Sequence, residues 1–158
     1  MGTDLNIFLN KKILIYGLGK SGLSAFKFLK NKSDILLYDD LQSNIKAPNI
    51  KKNLISYKNI LKLKFDQIIL SPGIDINKCK LSKFLKKNHN KIYSDLDVFY
   101  TFYKNDCITI TGPNGKSTTC QLLYEVLLNQ KLDVKLVGNI GIPILSVKKV
   151  KKKNNFYN

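Results

Sequence analysis

The residues best suited to phosphate chemistry form one short segment, Thr109-Ile110-Thr111-Gly112-Pro113-Asn114-Gly115-Lys116-Ser117-Thr118-Thr119. An apolar run precedes its glycines, and a helix-forming stretch, 121–128, follows. A strand, a glycine-bearing turn and Lys-Ser at a helix start hold nucleoside triphosphates, because the loop N–H groups and the helix dipole favour phosphate. We predict that Lys116, the candidate catalytic residue, contacts the β- and γ-phosphates of a nucleoside triphosphate and that the Ser117 hydroxyl binds Mg²⁺.

This phosphate loop is a short variant of the common one. Only Pro113 and Asn114 separate Gly112 from Gly115, whereas the usual pattern has four residues between its first glycine and the Gly-Lys pair. The alternative is a plain strand-to-helix turn with an exposed lysine, but the flanking segments are where a phosphate loop needs them. The predicted ATP contacts are Gly112, Pro113, Asn114, Gly115, Lys116, Ser117 and Thr118.

A second glycine loop lies near the start of the chain. Gly17-Leu18-Gly19-Lys20-Ser21-Gly22 follows an apolar run, and the pair Asp39-Asp40 comes about twenty residues later, where a Rossmann unit places a ribose-binding carboxylate. We predict a tight turn at Gly17, close approach of a phosphate at Gly19 and tight helix packing at Gly22. Three interpretations remain open from these residues alone: a nicotinamide cofactor, another nucleotide, or merely a turn.

The elements that position these loops alternate between strands and helices. Apolar runs predict strands over 11–16, 34–38, 65–70 and 91–93, a weaker one at 54–57, and two further strands over 107–111 and 133–137. Helices are expected after the first loop, in a short stretch over 59–64, and over 78–87, 95–103 and 117–129, with Ser94 as an N-cap. The turn Ser71-Pro72-Gly73 follows a strand, at the edge where open α/β sheets bind ligands.

The predicted fold class is therefore α/β, in two parts. Residues 1–93 form a five-stranded, Rossmann-like domain with a parallel sheet, and residues 94–158 form the start of a P-loop-type ATP-binding α/β domain. Two strands and one helix do not close a parallel sheet with both faces covered, so we expect this second domain to be incomplete.

Composition argues against several function classes. The formal net charge is +16, yet all 27 basic residues are lysine, and the absence of arginine argues against sequence-specific nucleic-acid binding. The abundance of Lys, Asn and Ile instead indicates an AT-biased coding sequence. The three cysteines form no Cys-x-x-Cys pair and the chain has one histidine, which disfavours zinc. Without a membrane-length apolar run or a signal pattern, we expect a cytoplasmic monomer.

The order of the motifs resembles the Mur ligases, and within them the members that add D-glutamate to UDP-N-acetylmuramoyl-L-alanine. The similarity covers about Lys11 to Leu145, and the motifs that carry it are Gly17-Leu18-Gly19-Lys20-Ser21-Gly22-Leu23-Ser24, Ser71-Pro72-Gly73-Ile74, Thr111-Gly112-Pro113-Asn114-Gly115-Lys116-Ser117-Thr118-Thr119 and Gly138-Asn139-Ile140-Gly141. The resemblance implies that the first loop binds UDP rather than a nicotinamide cofactor.

Carried over by position, the resemblance implies a set of substrate contacts. Gly19, Lys20 and Ser21 would hold the diphosphate or sugar, Asp39 the uridine, Gly73 the uracil and Asn139 the muramoyl part. Leu41 stands where the family often has a basic residue, and Asp39 has the alternative role of capping the loop after its strand.

The implied reaction is amide formation driven by ATP with Mg²⁺. The substrate carboxylate would take the γ-phosphoryl group to give an acyl phosphate, and the D-glutamate amine would displace phosphate. Since no acidic Mg²⁺ partner or third domain has a counterpart here, we expect the chain to be inactive alone. Phosphate release that depends on ATP and D-glutamate would contradict this. The alternatives are a UDP-sugar-binding module without catalysis, another amino-acid-adding Mur ligase, a nicotinamide oxidoreductase, or a basic nucleic-acid binder.

Overall fold

The computed structural model describes residues 6–41, 48–103, 106–138 and 141–147. Its strands are β1 (Lys12–Tyr16), β2 (Asp34–Tyr38), β3 (Gln67–Leu70) and β4 (Ile92–Tyr93). Its α-helices are α1 (Lys20–Leu29), α2 (Pro48–Lys51), α3 (Tyr57–Ile60), α4 (Ser82–Lys87), α5 (Asp95–Phe102) and α6 (Lys116–Asn129). Short 3-10 turns cover His89–Lys91 and Ile144–Ser146. None of the helices among the described residues is long and apolar enough to cross a membrane.

The four strands form one parallel sheet in the order β2-β1-β3-β4. Strand β1 lies in the middle, and Ile13, Leu14 and Ile15 are each 0% exposed, as expected for an apolar strand covered on both faces. Because all strands run the same way, their carboxyl ends meet at one edge. The α/β prediction with a parallel sheet is thus confirmed for the N-terminal part of the chain.

The predicted fifth strand is wrong. Residues 54–57 contribute only an isolated parallel bridge between Leu54 and Leu37. Ser56 instead caps α3, where its side chain accepts a hydrogen bond from the Asn59 N–H. The cap turns the chain away from the sheet before a second ladder pair forms.

Helix α5 begins as the sequence predicts. The Ser94 side chain accepts from the Asp97 N–H at 3.2 Å, and the Asp97 carboxylate accepts from the Ser94 N–H at 2.7 Å, which makes a reciprocal capping box. Helix α4 starts later than predicted, at Ser82, because residues 76–81 form turns, the first of which is closed by the Asn77 N–H donating to the Asp75 carboxylate.

Two apolar clusters cover the two faces of the sheet. One cluster contains Leu14 and Tyr16 with Leu81 and Leu85 near and in α4. The other joins α1, α5 and the 3-10 turn near the end of the described chain; its buried members include Ile13, Ile15, Ala25, Leu29, Val98, Phe99, Ile144 and Leu145. Residues that follow the phosphate loop in sequence therefore complete the core of the first sheet.

The segment 106–138 differs from the prediction. Helix α6 forms at the expected place, but none of its residues is buried, and Leu122 is 59% exposed. Neither predicted strand, 107–111 nor 133–137, forms within the described residues; only an isolated bridge joins Val137 to Ile142. A strand needs a hydrogen-bonded neighbour along its length, and within the described residues the run 107–111 has none and the run 133–137 has only the bridge at Val137.

Candidate nucleotide sites

The first glycine loop lies at the carboxyl edge of the sheet, between the ends of β2 and β3. The Gly17 N–H donates to the Tyr38 carbonyl at 2.9 Å, and the Ser71 N–H donates to the Tyr16 carbonyl at 3.0 Å. The three strand ends are thus tied together by backbone hydrogen bonds. This edge is where open α/β sheets bind their ligands.

Two of the loop's glycines are required by the fold itself. Gly17 has φ +94°, and a Cβ there would lie 2.7 Å from the Ser71 Cβ. A Cβ on Gly22 would lie 1.8 Å from the Gly17 carbonyl oxygen. The predicted tight turn and close packing are therefore present.

Gly19 is different, because nothing in the protein demands a glycine there. It is exposed, its φ is −71°, and no atom lies within 4 Å of the position of a Cβ. Open space in front of this backbone leaves room for a ligand to approach closely, which is what the phosphate prediction requires.

The start of α1 has the features of an anion site. No side chain caps the helix end at Gly19, and its first turn contains no acidic residue. Lys20 is exposed and Ser21 is half-buried beside it. The helix has 10 residues, so its N–H groups and dipole favour a phosphate at this end.

Asp39 makes two hydrogen bonds to the protein's own backbone. Its Oδ2 accepts from the Leu18 N–H at 2.7 Å, and its Oδ1 accepts from the Leu41 N–H at 2.9 Å. The capping alternative is therefore present in the structure.

Gly73 lies in the turn after β3, at the same edge of the sheet. The Ile74 N–H donates to the Ser71 carbonyl at 3.0 Å and closes this turn, and Gly73 is exposed with no atom within 4 Å of a Cβ position. The structure thus brings the predicted substrate residues of the first part of the chain, Gly19, Lys20, Ser21, Asp39 and Gly73, to one edge. Asn139 lies outside the described residues.

A group of polar side chains at the ends of β1 and β2 was not predicted from the sequence. The Tyr16 hydroxyl and the Asp40 Oδ1 are buried without a hydrogen-bond partner among the described residues. Burial, with the nearby Asp40 carboxylate, raises the pKa of Tyr38 to about 12, and burial likewise raises the pKa of Tyr16. Lys80 contacts the same residue, since its Nζ donates to the Asp40 carbonyl at 3.0 Å.

Sequence reasoning also missed the role of Ser71. Its Oγ donates to the Gly17 carbonyl at 2.8 Å. The pairing of Tyr16 with Leu70 places Ser71 level with Gly17, so the register of two adjacent parallel strands is the signal that identifies it.

The second loop has the backbone of a phosphate cradle. Gly112 has φ +146°, and Gly115, at the N-cap of α6, has φ +73° in the left-handed region. The Lys116 Nζ donates to the carbonyls of Gly112 and Pro113, the latter at 3.0 Å, so the ammonium folds over the loop.

The loop places an exposed lysine at the start of a 14-residue helix, a combination that would suit a phosphate ligand. Pro113, Asn114, Ser117 and Thr118 are all exposed, and Ser117 is the predicted Mg²⁺ ligand among them. Within the described residues no group of three or more His, Cys, Asp or Glu side chains surrounds a metal position.

Comparison with known proteins bears on both loops. Residues 11–92 match the family model for the Mur ligase MurD-like N-terminal domain. The chain is 39% identical over 148 residues to the UDP-N-acetylmuramoylalanine–D-glutamate ligase of Rickettsia prowazekii, covering 91% of this chain and 33% of the relative. The corresponding ligases of Lachnoclostridium phytofermentans and Buchnera aphidicola are 35% and 33% identical over 86% and 89% of this chain. The chain spans about a third of the length of these curated relatives.

Proposed function

The chain belongs to the MurD-like Mur ligases, and from this premise we propose that it forms the UDP-substrate and phosphate-loop part of a peptidoglycan-precursor ligase. The reaction proposed for the whole enzyme is the ATP-dependent addition of D-glutamate to UDP-N-acetylmuramoyl-L-alanine. We also propose that the protein is a monomer and acts in the cytoplasm.

One observation carries the proposal for the first loop. Gly19 is a glycine that the fold does not need, at an uncapped helix start with an exposed lysine beside it. A diphosphate bound at the N–H groups of α1 explains that glycine. The side chains of Lys20 and Ser21 would then contact the diphosphate or the sugar, and the exposed turn at Gly73 would contact the uracil.

The second loop would hold the triphosphate of ATP. Bound ATP with Mg²⁺ supplies the phosphoryl group that activates the substrate carboxylate. The N–H groups at Gly115 and Lys116 would orient the β- and γ-phosphates, and the Lys116 ammonium would offset the charge that develops on the transferred phosphoryl group. Ser117 would contribute one oxygen to the metal, and Asn139 would contact the muramoyl portion.

Bond making and breaking in the proposed reaction then balance in two steps. The substrate carboxylate oxygen bonds to the γ-phosphorus while the bridge to ADP breaks, which gives an acyl phosphate. The amine of D-glutamate bonds to the acyl carbon, loses a proton and expels inorganic phosphate.

The substrate-binding half is tested by calorimetry on the 158-residue chain with UDP-N-acetylmuramoyl-L-alanine. We expect saturable binding that free UDP competes away. Gly19→Ala is the matched variant: its backbone angles suit alanine and its Cβ meets no protein atom, so it folds normally but intrudes on the ligand. Absence of binding by the unaltered chain would reject this half of the proposal.

The ATP half is tested separately with MgATP. Lys116→Ala removes the ammonium at the loop, whereas Lys135→Ala removes an exposed lysine beyond α6 and serves as the control. Because ammonium–phosphate contacts are charge-assisted, we expect Lys116→Ala to weaken MgATP binding by about tenfold or more. Equal affinities for the two variants would reject the assignment of Lys116.

A further inference from the structure

The first glycine loop is held from both sides by side chains of the neighbouring strand ends. We propose that Asp39, after β2, and Ser71, after β3, are positioning residues that fix this loop in its phosphate-binding shape. The inference rests on the proposed binding of a UDP substrate at this edge and gives Asp39 a role in holding the loop besides the contact with uridine that the resemblance implies.

Asp39 holds the loop from the β2 side. Its Oδ2 accepts from the Leu18 N–H at 2.7 Å, and its Oδ1 accepts from the Leu41 N–H at 2.9 Å. One half-buried carboxylate therefore links the glycine loop to the loop that follows β2. Hydrogen bonds to an ionised carboxylate are stronger than those between neutral groups. Asp39 therefore holds the glycine loop more firmly than a neutral acceptor would.

Ser71 holds the loop from the β3 side. Its Oγ donates to the Gly17 carbonyl at 2.8 Å, while its N–H donates to the Tyr16 carbonyl at 3.0 Å. Its side chain also lies directly against Gly17 and Gly22, at the positions where a Cβ on either glycine would collide. The residue thus locks the turn both by hydrogen bonding and by contact.

Together these contacts fix Gly17 and Leu18 and leave the next residues open. Gly19 and Lys20 follow at the start of α1, where the Leu23 N–H donates to the Gly19 carbonyl at 3.0 Å, and both residues are exposed to a ligand. A loop that is ordered before binding loses less conformational entropy when the ligand arrives, and the affinity is higher for that reason. The expected consequence of loosening either side is weaker binding of phosphate groups.

The test compares Asp39→Ala, Asp39→Asn and Ser71→Ala with Asp66→Ala in the full 158-residue chain. Asp66 is a matched control, because its Oδ2 accepts from the Lys12 N–H at 2.8 Å at the opposite end of β1. We expect Asp39→Ala and Ser71→Ala to bind UDP about tenfold more weakly, as the loss of one such hydrogen bond predicts, with no change in Asp66→Ala. Asp39→Asn should be intermediate, because its amide offers an acceptor to one N–H only.

Uridine separates the positioning role of Asp39 from contact with the nucleoside. If Asp39 holds the loop, Asp39→Ala weakens UDP binding more than it weakens uridine binding, which is followed by ligand-observed NMR. If Asp39 only touches the nucleoside, both probes weaken equally, and that result would overturn the proposal. UDP affinity of Asp39→Ala and Ser71→Ala equal to that of the unaltered chain would overturn it as well.

Amide hydrogen exchange provides a readout that needs no ligand. We expect Asp39→Ala to accelerate exchange at the Leu18 and Leu41 N–H groups and to leave the Lys12 N–H protected, with the reverse in Asp66→Ala. If the unaltered chain fails to bind UDP, the proposed function fails, and exchange at Leu18 alone decides whether the loop is held. Unchanged exchange there would reject the positioning role of Asp39.

Discussion

Leu145→Ala tests whether the segment after the phosphate loop belongs to the core of the first sheet. Leu145 is 5% exposed and packs in the cluster that contains α1 and α5. Removing its three terminal carbons loses about 2–2.5 kcal/mol of transfer free energy, at about 0.8 kcal/mol per methylene, and the cavity adds to that. We therefore expect the free energy of unfolding to fall by about 2–5 kcal/mol.

Urea denaturation followed by circular dichroism measures this loss. Ile142→Ala is the control, since Ile142 lies in the same segment but is 45% exposed. Its substitution should cost under about 1 kcal/mol, because a half-exposed side chain leaves little cavity. Equal urea midpoints for the two variants would refute the reasoning, because they would show that Leu145 is not enclosed by α1 and α5.

Three further substitutions test other parts of the fold. Gly22→Ala places a Cβ 1.8 Å from the Gly17 carbonyl oxygen, so we expect a loss of about 1–3 kcal/mol or more in urea denaturation; a stability equal to that of the unaltered chain would contradict this packing. Ser94→Ala removes the hydrogen bond to the Asp97 N–H and should cost about 1 kcal/mol, measured in the same way, whereas no loss would mean that the capping box is not formed. Burial raises the pKa of Tyr38 from 10.0 to about 12, so the neutral Tyr38 hydroxyl contributes stability that is complete below pH 10 and is lost as the pH rises to 12. The urea midpoint should therefore fall between pH 10 and pH 12, and it should fall less in Tyr38→Phe. An equal fall in the two proteins would contradict the raised pKa.

Local signals predicted much of the first sheet correctly. The apolar runs that became β1 and β2 are buried on both faces, so composition alone identifies them. Ser94 was recognisable as a cap because a hydroxyl before an acidic first turn satisfies the free N–H groups of a helix start. The glycine loop followed from the same logic, since Gly22 is required by its contact with the Gly17 carbonyl within one strand–turn–helix unit.

Features that depend on distant partners were not predictable in this way. The run at 107–111 has the composition of a strand, but pairing also needs a neighbour, and none is present in the described part of the chain. The positioning contacts of Asp39 and Ser71 depend on which strands lie beside β1, which is a property of topology rather than of spacing. The burial of Leu145 against α1 likewise joins residues far apart in sequence.

Because Ile144 and Leu145 pack into the core, the segment of chain that carries the phosphate loop is anchored at both of its ends. This segment runs from the end of α5 to the 3-10 turn at Ile144–Ser146, and both of these elements belong to the same apolar cluster. Chain closure costs only about 0.6 kcal/mol for each doubling of loop length. This segment can therefore change in length at little cost in stability, while its anchored ends keep the phosphate loop near the edge at which we propose that UDP binds.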